Sequence, residues 1–327
     1  MGILHSKENQ LRIIWRMIVH VLVSIVILIP FIFILKTLPL DSNGTGLESD
    51  KNLVFVLFLT LSFSLGGWVT LKWIDKRPPA LLGLNFWLSS LRELLTGIVL
   101  GIVNFLSVLL ILTICGGISM EWAATNYEFS AFAFSLGIYF LFAAIEEVIN
   151  RGYLFQTLCE WKGQVVAAVI FSLIFSIVHI FNPDFTILAG VFLFVHGLLY
   201  SVAYLKTRSL WTPIGLHMAW NFAQGPLAGL KVSGTATGKS LFLTEVSGPE
   251  ILTGGSFGVE GGLVAILVSI CLLVLLIRFR WLGPSKRFFR IYEAMMQTTV
   301  QQAPKGVAKW GFLPFARPLR RQRGSLK

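Results

Sequence analysis

The sequence predicts an all-α polytopic membrane protein with about eight transmembrane helices enclosing a polar intramembrane cavity, on three observations. Of 327 residues, 55% are apolar and 13% charged, with a mean hydropathy of +0.76, which leaves too little polar surface for a soluble globule of this size. The apolar residues gather into runs of bilayer-spanning length. Inside the fourth run stand charged residues that lipid alone would not tolerate. Disorder, coiled coil and collagen are excluded by the same composition.

The expected spans are Met17 to Leu35, Leu53 to Leu71, Leu94 to Cys115, a helix starting near Phe129, Gln164 to Phe181, Phe185 to Leu205, Ser209 to about Leu230, and Gly261 to Ile277. Lys7, Arg12 and Arg16 ahead of the first run resemble a signal peptide. That run is too long, however, and no small-residue cleavage site follows, so it reads as an uncleaved helix. The connectors alternate between basic (the N-terminus, 72–92, 151–162, 206–208 and the tail) and neutral or acidic (41–50, 121–128, 182–184, 231–260). The positive-inside rule then places both termini in the cytoplasm.

The formal charge of +11 suggests nucleic acid until it is located. Residues 278–327 hold twelve Lys/Arg and a single acid, Glu293, so the whole excess lies there and residues 1–277 sum to zero. A basic tail interleaved with Trp310, Phe312 and Phe315 is expected to lie on anionic lipid of the inner leaflet, not on nucleic acid. Pro78-Pro79 through Arg92, with Phe86 and Trp87, is expected to form an interfacial helix, and residues 229–263 an irregular outer loop. Gly238-Lys239-Ser240 lacks the upstream glycine and strand of a phosphate loop, and Asn43-Gly44-Thr45 is a glycosylation acceptor sequence. Cys115, Cys159 and Cys271 show neither disulfide nor metal spacing.

The informative residues are those where lipid should be. Glu146, Glu147 and Arg151 would together cost roughly 8–10 kcal/mol at the bilayer centre. At i, i+4 spacing Glu147 and Arg151 share a helix face and pair, leaving Glu146 as the unpaired carboxylate. Taken alone, the cluster also reads as the solvated cytoplasmic end of helix four. His179 follows Phe175 by four positions, and His217 and Asn221 lie i, i+4 on another helix, so three helices offer catalytic-type groups. One depth problem remains: Glu146 counts to the inner half and His179 to the outer half unless helix four starts later and runs on through Leu158.

Glu146-Glu147-x-x-x-Arg151, Phe175-x-x-x-His179 and His217-x-x-x-Asn221, in this order, resemble the three motifs of the CPBP intramembrane protease family, which includes the CAAX prenyl proteases and bacteriocin-processing and immunity proteins. Residues 207–217 and 254–261 also resemble bacterial members. The resemblance covers about 129–280, giving a division into 1–128 (three N-terminal helices and the interfacial segment), 129–280 (catalytic core) and 281–327 (basic tail). It implies an endopeptidase acting on a membrane-associated peptide or protein. Glu146 and His179 would activate a water, His217 and Asn221 would bind the oxyanion, and Glu147 and Arg151 would orient the site, with the cavity opening to the cytoplasm. No cofactor is favoured. The alternatives are a zinc protease with Glu146, His179 and His217 as ligands, a proton-relaying transporter, and a non-catalytic immunity protein. Two positions depart from the family: Asn150, usually aromatic, and His196, usually small, which reads as either a packing residue or a further site or metal ligand.

Overall fold

The computed structural model describes residues 13–38, 50–123, 129–236, 238–278 and 281–302. Among them the chain forms α1 (Ile13–Thr37), α2 (Asp50–Val69), α3 (Leu88–Ile114), β1 (Ile118–Trp122), α4 (Phe129–Arg151), α5 (Tyr153–Lys162), α6 (Gln164–Val178), α7 (Ile187–Thr207), α8 (Trp211–Phe222), β2 (Phe242–Val246), α9 (Glu250–Thr253), α10 (Leu263–Arg278) and α11 (Lys286–Gln302). Six helical stretches are long and apolar enough to cross a membrane, the fourth being α4 and α5 together over Phe132–Lys162. The expected seventh and eighth spans are shorter. α8 has 12 residues and runs into a π-helical turn, Ala223–Leu227, while α10 has 16 residues, about 24 Å of rise against a hydrocarbon core of about 30 Å.

α8 is a buried central helix, with ten of its residues inaccessible. It packs chiefly against α3, α4 and α7. α3 approaches it so closely that a β-carbon on Gly97 or Gly101 would run into the α8 backbone at Thr212 or Leu216. This is the small-residue spacing that lets membrane helices touch backbone to backbone, where dispersion must replace the hydrophobic drive that lipid does not supply.

At the basic end of the bundle the connectors hold one another. Arg16 of α1 donates to Asp75 at 2.7 Å and to Glu160 at 2.9 Å, and Arg77 reaches Glu160 at 2.5 Å. These acids neutralise much of the charge that the sequence pattern assigned to solvated loops.

Two expectations fail. The interfacial helix over 78–92 is instead a 3-10 turn, Pro79–Leu82, followed by the start of α3 at Leu88. Gly83 in the left-handed region (φ 87°) ends the turn, and Trp87, extended at φ −103°, ψ 164°, directly precedes α3. The "irregular" outer segment is ordered: β2 pairs antiparallel with β1 from Ile118–Val246 to Trp122–Phe242, and Phe257, Val259 and Glu260 are buried. Asn43-Gly44-Thr45, Lys7 and Arg12, and the tail residues Trp310, Phe312 and Phe315 lie outside the described residues.

The break between α4 and α5 shapes the cavity. Gly152 has φ −73°, ψ −141°, and a β-carbon there would strike the carbonyl oxygen of Val148. Beyond this kink α6 packs along α5 and α7 but barely touches α4, so a wedge opens between α4 and α6. Gly152→Ala is expected to cost about 1–3 kcal/mol of strain, lowering both thermal stability and activity. Gly137→Ala, whose methyl meets nothing within 4 Å, should leave both unchanged; equal behaviour of the two variants in thermal unfolding would show that the kink does not depend on glycine.

Candidate active site

The length of the fourth span, Phe132–Lys162, resolves the depth problem. Glu146 precedes Lys162 by sixteen residues and His179 follows Gln164 by fifteen, on antiparallel helices joined at Gly163. At 1.5 Å per residue both lie about 22–24 Å from that turn. The run through Leu158 that the sequence named as a condition is therefore present, the span reaching Lys162.

Below the wedge sits a fully buried floor. Arg151 Nη1 donates to Glu147 Oε1 at 3.1 Å, with both side chains 0% exposed, and Nη2 donates to the Gly197 carbonyl at 2.9 Å. The guanidinium also lies over Phe175 and Tyr200, 5.1 and 5.4 Å from their centroids. Glu147 Oε1 takes a second hydrogen bond, from His217 Nδ1 at 3.1 Å. Carboxylates accept only, so this contact places a proton on Nδ1 and turns Nε2 toward the wedge.

His179 is fixed by the same logic. Its Nδ1 lies 2.6 Å from the Phe175 carbonyl, which can only accept, so Nδ1 carries the proton and Nε2 is bare in the neutral ring. Phe175 thus contributes a carbonyl one helical turn back, the structural reason for its four-residue spacing from His179.

Glu146 Oε2 stands 4.0 Å from His179 Nε2 and 3.8 Å from His217 Nε2. Oε2 is buried and has no hydrogen-bond partner among the described residues. Three polar atoms around a gap slightly too wide for direct hydrogen bonds make a seat for one water, which would satisfy the orphaned oxygen. The surrounding cavity measures about 370 Å³ and is lined by Glu146, His179, His217 and Asn221 together. Asn150 lines it too, its amide tied back to the Glu146 carbonyl at 2.8 Å.

Those atoms do not fit a tetrahedral zinc ion as they stand. Ligands about 2.0–2.1 Å from zinc sit roughly 3.3 Å apart, closer than the pairs seen. Among the described residues no three His, Cys, Asp or Glu side chains are arranged to hold a metal.

Two features differ from the sequence reading. The cavity was expected to open to the cytoplasm; its floor toward the α4–α5 turn is closed by the buried Glu147 and Arg151, and its far lining comes from Asn182, Val232, Ser233, Thr235, Ala236 and Glu260, in connectors that the charge pattern puts outside. The cause is the long fourth span, which lifts Glu146 away from the basic end. Glu260 was missed altogether. It is 1% exposed, lines the cavity, and accepts from Ser233 N at 3.0 Å, Ser233 Oγ at 2.7 Å and Trp220 Nε1 at 3.4 Å. Burial pushes its carboxyl above the usual range, opposed by the Ser233 hydrogen bond and the nearby His179. A lone acid in a glycine-rich loop carries no periodicity that would have marked it as buried.

His196 is a buried hydrogen-bonded residue that also lines the cavity, so the packing and site readings both describe it. Residues 126–223 match the family model of the type II CAAX prenyl endopeptidase Rce1-like proteins. No curated protein and no solved structure matches the chain.

Proposed function

We propose, from the match of residues 126–223 to the type II CAAX prenyl endopeptidase Rce1-like family model, that this multi-pass membrane protein hydrolyses a peptide bond in a membrane-associated peptide or protein. The observation that carries the reading is the unsatisfied Glu146 Oε2 facing two histidine Nε2 atoms across a water-sized gap.

In this mechanism one hydrogen of the seated water bonds to Glu146 and the other to His179 Nε2. Glu146 takes a proton as the water oxygen attacks the scissile carbonyl carbon, and later passes it to the departing amine. In its doubly protonated form, with Nδ1 donating to Glu147, His217 donates from Nε2 to the developing oxyanion. Asn221, one turn along α8, donates beside it. Arg151 neutralises Glu147, so that of the two adjacent α4 carboxylates the one left to act as base is Glu146.

The test is cleavage of a quenched fluorescent farnesylated CAAX peptide by purified protein in lipid nanodiscs, alongside an unprenylated peptide. Cleavage of the farnesylated peptide supports a prenyl-directed enzyme, and cleavage of both a broader one. Failure of both, together with identical termini in membrane proteomes with and without the protein, would favour the immunity or transport reading. We further propose that α11, which carries Lys286, Arg287 and Arg290 with Arg287 4.7 Å from the Trp87 ring, lies on the cytoplasmic leaflet. Charge alternation predicts that labels at Lys76 and Gly248 are reached from opposite sides. Labelling from one side only would refute that topology.

A further inference from the structure

Behind the catalytic floor runs a second buried chain of polar groups. Asn104 Nδ2 on α3 donates to Ser269 Oγ on α10 at 3.2 Å. Ser269 Oγ lies 2.9 Å from His196 Nε2, and His196 Nδ1 lies 3.0 Å from Tyr200 Oη. All four residues are nearly inaccessible, at 2, 0, 2 and 1%. Tyr200 is also where this chain meets the reaction: it lines the cavity, and its ring stacks on His217 with centroids 4.7 Å apart at 16°.

Following the hydrogens gives the chain a direction. Ser269 accepts from Asn104; when it gives its own single hydrogen to His196 Nε2, that nitrogen is the bare one of a neutral ring. Nδ1 therefore carries the proton and donates to the Tyr200 oxygen. With its oxygen accepting from His196, the phenol hydrogen is left to point elsewhere, and Tyr200 faces the cavity.

We propose that Tyr200 O–H is a further catalytic donor to the substrate carbonyl, beside His217 and Asn221, and that His196, Ser269 and Asn104 are positioning residues that aim it. The inference rests on the endopeptidase reading. It turns on His196, a histidine where the resembling family usually has a small residue, so the relay belongs to this chain's own variation. A phenol held by a buried acceptor relationship loses little orientation entropy when it bonds a tetrahedral oxygen, as electrostatic preorganisation requires.

Two measurements test it. Tyr200→Phe keeps the ring stacked on His217 and removes only the hydroxyl. With the farnesylated CAAX peptide it should lower kcat on the order of 10²-fold with KM within about twofold, and adding His196→Gln should cost little more. A kcat within twofold of wild type, while Glu146→Gln is inactive, would overturn the role of Tyr200 and leave the endopeptidase reading standing. Independently of any substrate, imidazole ¹⁵N spectra of histidine-labelled protein, differenced against His196→Gln, should show His196 as the Nδ1–H tautomer. The Nε2–H tautomer would mean that the chain runs the other way, with Tyr200 donating to His196. It would sink the proposal even if no peptide were cleaved.

Discussion

Glu146→Gln should lower kcat by roughly 10²–10⁴ while leaving the fold intact. The amide fills the same volume and still meets a water between His179 and His217, but it has no basicity with which to take a proton in the attack step, and general-base removal costs about that factor. Glu146 is one-third exposed at its side chain and makes no ion pair shorter than 3.8 Å, so neutralising it breaks no structural contact. Unchanged thermal unfolding alongside the kinetic loss is the expected pair of readings. A comparable loss of stability would show that the residue holds the fold.

Arg151→Met should have the opposite signature, destabilising the protein by about 3–5 kcal/mol. Its guanidinium bonds a carboxylate that is 0% exposed and caps the Gly197 carbonyl. Removing it strands a buried charge, which costs far more than the pair contributes. The double variant Glu147→Leu with Arg151→Met replaces the pair by apolar groups, and that exchange is often close to neutral. Stability should return in large part, whereas activity should not, because His217 Nδ1 loses the acceptor that fixes its orientation. A double variant as unstable as Arg151→Met in denaturant titration would contradict the stranded-charge explanation.

The features legible in the sequence were those with a strong physical signature. Long uncharged runs mark α1, α3 and α7 because water will not solvate them, and Glu146, Glu147, Arg151, His179, His217 and Asn221 stand out because lipid will not. What escaped was set by tertiary geometry. The kink at Gly152 is a backbone collision avoided, which leaves no trace in hydropathy, yet it decides that Glu146 and His179 meet. β1 and β2 are five residues each and lie more than a hundred positions apart, so neither signals the other. Glu260 lies in a segment whose composition reads as loop and whose burial depends on Ser233 and Trp220. Glu146 was counted into the inner half because helix four was taken to end near Arg151, whereas the helical stretch runs on through Lys162.

The central claim is that a glutamate-activated water performs the hydrolysis. Its most direct test is the peptide-cleaving rate of purified protein measured together with bound metal, before and after exhaustive treatment with a strong chelator. The glutamate mechanism predicts unchanged turnover and far less than one equivalent of zinc. Stoichiometric zinc in the active protein, with activity lost on chelation and restored by Zn²⁺ in wild type but not in Glu146→Gln, would contradict it and assign Glu146, His179 and His217 as ligands.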